Sequence, residues 1–133
     1  MQSVLDERAA VLNSLERLSS AIYGQQLQAV LALFAPGPDT LLISSEAGEV
    51  ARGPYELQAL FERMFARAVR YSYRWEVTVI SLYGDVATIY ASGVIVTTSE
   101  AGLHEHPYRM TGVLLRSGSE WLWAHYHGSE PAG

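Results

Sequence analysis

The feature that most constrains the fold is a change in hydrophobic period near residue 69. Before it, apolar residues recur at helical spacing, and after it apolar and polar residues alternate, which is the period of half-buried strands. A chain that places its helices first and its strands last favours an α+β fold. We therefore expect N-terminal helices packed in a curved, mainly antiparallel sheet. The predicted long strands are 71–79, 86–98, 103–116 and 121–129.

The N-terminal half is expected to hold the helices and a pair of short strands. Residues 3–34 have helical spacing interrupted at Gly24, and a helix after Gly53-Pro54 carries a second apolar stripe. The short strands are predicted at 40–43 and 49–51. At 133 residues the chain is expected to form a single domain over its whole length, 1–133.

Composition excludes several classes of function. The net charge is -5 and no Lys/Arg run is present, which disfavours nucleic acid as a partner. The chain has no Cys, so disulfides and thiolate chemistry are excluded. No apolar run approaches the roughly 18 residues of a membrane span, and the N-terminus lacks signal-peptide features. We expect a cytoplasmic protein with no membrane partner.

The last predicted strand runs from an aromatic beginning to a histidine-rich end. Because side chains alternate along a strand, its two tryptophans and two histidines should share one face. That face would run from the core of a cup-shaped sheet to a polar rim, where a ligand cavity is expected. The four residues are Trp121, Trp123, His125 and His127.

A register for the last hairpin follows if Gly118 is the centre of its turn. Opposite charges then meet at the turn and apolar residues meet aromatic ones further in, both favourable cross-strand contacts. The predicted pairs are Arg116 with Glu120, Val113 with Trp123, Thr111 with His125, and Arg109 with His127. Arg109 and Thr111 would then join the histidines on the inner face.

The outer face predicted by this register is also largely apolar, which suggests a second packing partner. A homodimer formed sheet against sheet is the simplest explanation. Its contacts would come from Tyr126, Leu122, Leu114 and Met110. His104 and His106 would also face outward, away from the other two histidines, so we expect neither a metal site nor a cofactor.

The inner-face residues are the candidate ligand contacts. An inward Arg109 offers a fork for a carboxylate, although it could instead pair with an inward acid. His125 and His127 are the candidate catalytic residues, since imidazole titrates near neutrality, but they could equally be hydrogen-bonded rim residues. Arg52 could enter the cavity or be a surface cation. Lining or plain core positions are expected for Trp75, Trp123 and Tyr73.

The order of these elements resembles the SnoaL-like branch of the nuclear transport factor 2 superfamily. The resemblance covers essentially the whole chain, and its most specific part is Trp-x-x-x-His-x-His-x-Ser at 121–129. Weaker support comes from 52–56 and 84–87. The C-terminal strand is also similar to the end of the association domain of calcium/calmodulin-dependent kinases. The resemblance implies a cone-shaped α+β barrel, usually a homodimer, with a cavity between helices and sheet; it does not imply one function.

The chemistry of that superfamily can be compared residue by residue. The ketosteroid isomerase pattern requires a Tyr in the middle of the first helix and an Asp base after the first short strand. This chain has Ser44, Ser45 and Glu46 after that strand, and a hydroxyl is no base without a partner. The polyketide cyclase pattern requires an inward acid, for which Glu76 qualifies only if it faces inward.

Three functions remain open at this point. The first is a homodimer that binds a small apolar molecule with a polar or anionic end in its cavity. The second is a proton-transfer enzyme, such as an isomerase, lyase or cyclase, that uses a cavity histidine. The third is an association module without catalysis.

Overall fold

The computed structural model describes residues 3–132 and confirms the expected α+β cone. Its six strands form one open sheet in the order β2-β1-β6-β5-β4-β3, in which only the β1–β6 pair is parallel. The elements, in chain order, are α1 Val4–Tyr23, α2 Leu27–Leu31, β1 Leu41–Ile43, β2 Val50–Arg52, α3 Gly53–Phe65, β3 Arg70–Tyr83, β4 Val86–Ser99, β5 Gly102–Ser117 and β6 Glu120–Ser129.

Helix α1 packs into the concave face of the sheet, mainly against β3 and β6. Its first turn is closed by a capping box, in which Ser3 Oγ accepts from the Asp6 amide at 3.1 Å. Deeper in, Ser14 Oγ donates to the Trp121 carbonyl at 2.8 Å and ties the helix to β6. The buried apolar stripe of α1 is Val11, Leu15, Leu18 and Ile22. Within residues 3–132, no helix is both long and apolar enough to cross a membrane.

The predicted register of the last hairpin is wrong, because its turn has two residues at its tip and not three. Ser117 pairs with Glu120, so Arg116 lies opposite Trp121. Gly118 has a φ of 63°, and glycine at the first tip position is typical of a two-residue type II′ turn. This change alone shifts every predicted pair by one residue.

A β-bulge at Ala124 shifts the register again. Leu114 pairs with Trp123, yet the next residue of β5, Val113, pairs with His125. The extra residue exchanges the faces of β6, because two residues of the bulged strand stand opposite one of its partner. Trp121 and Trp123 face the core before the bulge, and Tyr126 and Gly128 do so after it. His125 and His127 therefore face outward.

The faces predicted for β5 are exchanged as well. Tyr108, Met110 and Leu114 are buried on the concave side, whereas Arg109 and Thr111 are exposed on the convex side. The dimer contacts predicted at Tyr126, Leu114 and Met110 are wrong for the same reason, since these side chains belong to the core. Leu122 does lie on the outer face and is half-buried.

A second bulge, at Glu76, divides strand β3. Trp75 pairs with Gly93 and Val77 with Ser92, so Glu76 has no partner of its own in β4. A Cβ at Gly93 would lie 2.0 Å from the Arg74 carbonyl oxygen, so the bulge requires glycine there. The predicted alternation holds as far as Trp75, and beyond the bulge Val77 and Val79 are exposed. Glu76 is exposed and does not supply the inward acid of the cyclase pattern.

Candidate functional site

A small cavity lies on the concave side, between α1, α3 and the sheet. Its volume of about 30 Å³ is enough for one or two water molecules. Apolar side chains form most of the wall, and four hydroxyl groups lie among them. The apolar residues are Leu18, Ile22, Leu42, Phe61 and Met64, and the hydroxyl-bearing ones are Ser44, Tyr73, Tyr108 and Tyr126.

A second lobe of similar size, about 30 Å³, adjoins the first and is lined by charged residues. Both lobes are bordered by Ser44, Met64, Tyr73 and Tyr108. An unbranched methionine side chain adapts easily to a new shape, so a rotation of Met64 is the simplest way to join the lobes. The charged lining of the second lobe is Glu46, Glu49 and Arg67.

Three tyrosines, one each from strands β3, β5 and β6, meet at the inner wall. The hydroxyls of Tyr108 and Tyr126 lie 3.0 Å apart and are buried. The Tyr73 ring lies 5.2 Å from the Tyr108 ring, and Trp75 stacks on Tyr73 at 5.3 Å with the two planes 2° apart and lies 5.9 Å from the Tyr108 ring. These aromatic contacts fix the Tyr73 ring, so its hydroxyl is held beside the other two. We call Tyr73, Tyr108 and Tyr126 the tyrosine cluster.

The hydroxyls of the tyrosine cluster stay protonated far above neutral pH. Burial raises the pKa of Tyr73 and of Tyr126 well above the ordinary value. Burial also raises the pKa of Tyr108 to about 12, while its hydrogen bond with Tyr126 acts in the opposite direction. The cluster is therefore a set of neutral hydrogen-bond donors and acceptors on an otherwise apolar wall.

The charged lobe is built around Arg67, just beyond the end of α3. Its guanidinium donates to both oxygens of Glu46 at 3.2 Å, to Glu49 at 3.3 Å and to the Tyr71 hydroxyl at 3.1 Å. Hydrogen bonds to Tyr71 and Glu46 raise the pKa of Arg67 above its ordinary value. Glu49 also accepts a hydrogen bond from Ser44 Oγ at 2.8 Å. Two carboxylates and one guanidinium give this lobe a net charge of -1 at neutral pH.

The structure separates the predicted ligand contacts. Tyr73 lines both lobes, and Trp75 stacks on the Tyr73 ring. Trp123 is completely buried in the core, and its Nε1 has no hydrogen-bond partner among the residues described. Arg52 is a surface cation that pairs with Asp39 at 2.9 Å. These four residues do not form one site.

The predicted inward group of Arg109, Thr111, His125 and His127 lies on the convex face, across the sheet from the cavity. Their inward placement is wrong because of the turn and the bulge. His104 and His106 share the concave side with Tyr108, opposite to the prediction, and are exposed at the end of β5. Within 3–132 no group of three or more His, Cys, Asp or Glu could hold a metal ion.

Sequence reasoning missed Tyr108, Tyr126, Ser44, Glu49 and Arg67. A signal for Tyr108 was available, because between residues 108 and 114 the even-numbered positions are more apolar than the odd ones and so favour the core. Ser44 was considered only as a base without a partner. Its partner Glu49 lies five residues away across the β1–β2 turn, which the strand boundaries alone do not reveal.

We expect alkaline pH to destabilise the protein through the tyrosine cluster. Below the unfolded pKa of about 10 both states keep the phenol proton. Between about pH 10 and about pH 12 the unfolded chain has lost the Tyr108 proton, while the folded chain retains it. Unfolding then releases a proton, and the unfolding free energy falls with rising pH by about 1.4 kcal/mol per unit for this group.

Urea denaturation at pH 9 to 11.5 measures this slope. Tyr108→Phe removes one ionising group, so the unfolding free energy of this variant should fall less steeply with rising pH. Tyr55→Phe is the control, because that side chain is 89% exposed and should leave the profile of the wild type unchanged. Equal slopes for Tyr108→Phe and the wild type would contradict the assignment.

Comparisons with known proteins agree on the fold. A comparison with curated protein sequences gives no match. Among solved structures, a protein proposed to be a dehydratase of the NTF2-like family from Streptomyces avermitilis aligns at 16% identity with a TM-score of 0.81, covering 94% of this chain and 96% of that one. A ketosteroid isomerase-like protein from Erwinia carotovora atroseptica aligns at 20% identity and a TM-score of 0.74, covering 94% and 96%.

A third structure, a protein of unknown function with a cystatin-like fold from Nostoc punctiforme, aligns at 18% identity and a TM-score of 0.77, covering 98% and 95%. At such identities these likenesses establish the fold alone. A family model described as a SnoaL-like domain matches residues 11–133. With this match over most of its length, the chain belongs to the SnoaL-like family.

Proposed function

We propose that the protein binds a small, uncharged, largely apolar molecule whose oxygen contacts the tyrosine cluster. The observation that carries this proposal is the pair of buried hydroxyls of Tyr108 and Tyr126 on the wall of an apolar cavity. Buried polar groups in a concave apolar site are the usual means of fixing a ligand's orientation. The cavity must widen to accept a ligand larger than water, and Met64 is the side chain best suited to move.

The charges at the site favour a neutral ligand over an anion. Arg67 is the one cation among the described residues that line the two lobes, and it is already engaged by Glu46 and Glu49. A carboxylate ligand would have to displace these partners and would meet the remaining negative charge. The polar end of the expected ligand is therefore a ketone, ether or hydroxyl oxygen, and the anionic alternative loses its support together with the inward Arg109.

A proton-transfer enzyme is the second candidate, and the Ser44–Glu49 hydrogen bond favours it. Glu49 is a carboxylate whose side chain is only 15% exposed, and Ser44 connects it to both lobes. A carboxylate in reach of a bound ketone could act as a general base. No such support exists for His125 and His127 on the convex face. Exchange of ketone α-protons for deuterium by the wild type but not by Glu49→Gln would favour this candidate over simple binding.

We also propose that the protein is a homodimer formed through the convex face of the sheet. Apolar side chains lie in adjacent positions there, as Val79 pairs with Tyr90 and Leu115 with Leu122; the first three are exposed and Leu122 is half-buried. A sheet face exposed to water should be polar instead. A cytoplasmic location stays a prediction from the sequence.

Acetophenone, ethylbenzene and benzoate form a matched set of probes for the cavity. They share a phenyl ring and differ in carrying a neutral acceptor, no acceptor and a carboxylate. We expect acetophenone to bind most tightly by calorimetry, and Tyr108→Phe to weaken it about tenfold, because one hydrogen bond to a buried group contributes about 1.4 kcal/mol. Tyr55→Phe should bind like the wild type. Tighter binding of benzoate than of acetophenone would overturn the proposal. If none of the three probes binds, the proposal also fails, and the association module without catalysis is the function that remains.

Sedimentation equilibrium tests the dimer. Val79→Lys places a charge among the apolar side chains of the proposed interface, where desolvation is costly, and should produce monomers. Val4→Lys makes the same substitution at the exposed first residue of helix α1, on the concave side of the sheet, and should leave the dimer intact. A monomeric wild type at high concentration would refute the interface.

A further inference from the structure

Gly128 has no backbone reason to be glycine. It lies on the concave face of β6, paired with Met110 of β5, and it is not among the glycines with positive φ. Any L-residue can adopt such an extended conformation. The requirement for glycine at this position must therefore come from the space that a side chain would occupy.

That space is filled by Tyr108. A Cβ at Gly128 would lie 1.8 Å from the Tyr108 hydroxyl oxygen and 2.6 Å from Cζ. Both distances are far below van der Waals contact, and the obstacle is a ring that is itself buried, with the residue only 4% exposed. The Tyr108 side chain extends from β5 over the adjacent strand β6. Its hydroxyl lies in the slot that is open because Gly128 has no side chain.

The slot lies beside the other phenols. Tyr126 precedes Gly128 by two residues and so shares its face of β6, which brings its hydroxyl to 3.0 Å from that of Tyr108. The Tyr73 ring also packs against the Tyr108 ring, at a centroid distance of 5.2 Å. With a side chain at 128, Tyr108 would have to leave this position, and the contact between the two hydroxyls would be broken.

We propose that Gly128 is a positioning residue of the cavity. Because glycine has no side chain, the Tyr108 hydroxyl can occupy its place at the centre of the tyrosine cluster. The role of Tyr108 toward a ligand rests on the proposed function, whereas the placement of its hydroxyl does not. Gly128 acts through Tyr108 and touches no ligand itself. If it served packing in general, its replacement would be harmful whatever residue stood at 108.

The test substitutes Gly128→Ala and follows tyrosinate formation by absorbance at 295 nm. We expect the ionisation near pH 12 to shift to lower pH, because the displaced Tyr108 hydroxyl leaves the buried cluster. Acetophenone binding should fall at least tenfold. Gly24→Ala is the matched control, since its φ is -76° and the nearest atom to an added Cβ is 3.4 Å away. A titration curve of Gly128→Ala that overlays the curve of the wild type would overturn the proposal.

A double substitution keeps the test decisive if Gly128→Ala fails to fold. Tyr108→Ala removes the obstructing ring, so Tyr108→Ala/Gly128→Ala should unfold at the same urea midpoint as Tyr108→Ala alone. An additional loss of stability in the double variant would show that Gly128 is needed for another reason and would refute the pairing. If the wild type binds no probe, the proposed function fails, while the titration and the double variant still decide the role of Gly128.

Discussion

The β-bulge at Ala124 decides which side chains of β6 face the concave side of the sheet, where the cavity lies. Before it, Trp121 and Trp123 face the core, and after it Tyr126 and Gly128 take over that role. Without the extra residue, His125 and His127 would have continued the inward row. One unpaired residue thus places a phenol and a glycine of β6, and not two imidazoles, on the concave side of the sheet.

Aromatic side chains lie across the sheet because glycines leave room for them. At Gly112 an added Cβ would lie 2.5 Å from Cζ3 of Trp123, and at Gly128 it would meet the Tyr108 hydroxyl. Neither glycine has a side chain to pack, so a large ring from the neighbouring strand can fill the layer between sheet and helices. The same arrangement brings buried hydroxyls together at one place on an apolar wall, which is the basis of the proposed binding site.

The sequence was sufficient for the fold and insufficient for the site. Helical spacing, the change of period and the family resemblance predicted the elements and their order, because these signals repeat over many residues. The site depends on two local features, the two-residue tip of the turn at Gly118 and the bulge at Ala124. Neither can be recognised from the spacing of apolar residues along the sequence. Since the side-chain period is two, the turn placed residues of β5 such as Arg109 on the opposite face, and the bulge did the same for His125 and His127 of β6. The contacts among Ser44, Glu49 and Arg67 could not be predicted from the sequence, because they join the residues around the β1–β2 turn to a residue just beyond the end of α3.

The most direct test of the account is an NMR titration of protein labelled with ¹³C at tyrosine Cζ and histidine Cε1, with acetophenone as the probe. The account predicts shifts at Tyr73, Tyr108 and Tyr126 that saturate together, with Tyr55 and the two histidines of β6 unchanged. Saturable shifts at His125 and His127, with the buried tyrosines unaffected, would place the ligand on the convex face and contradict it.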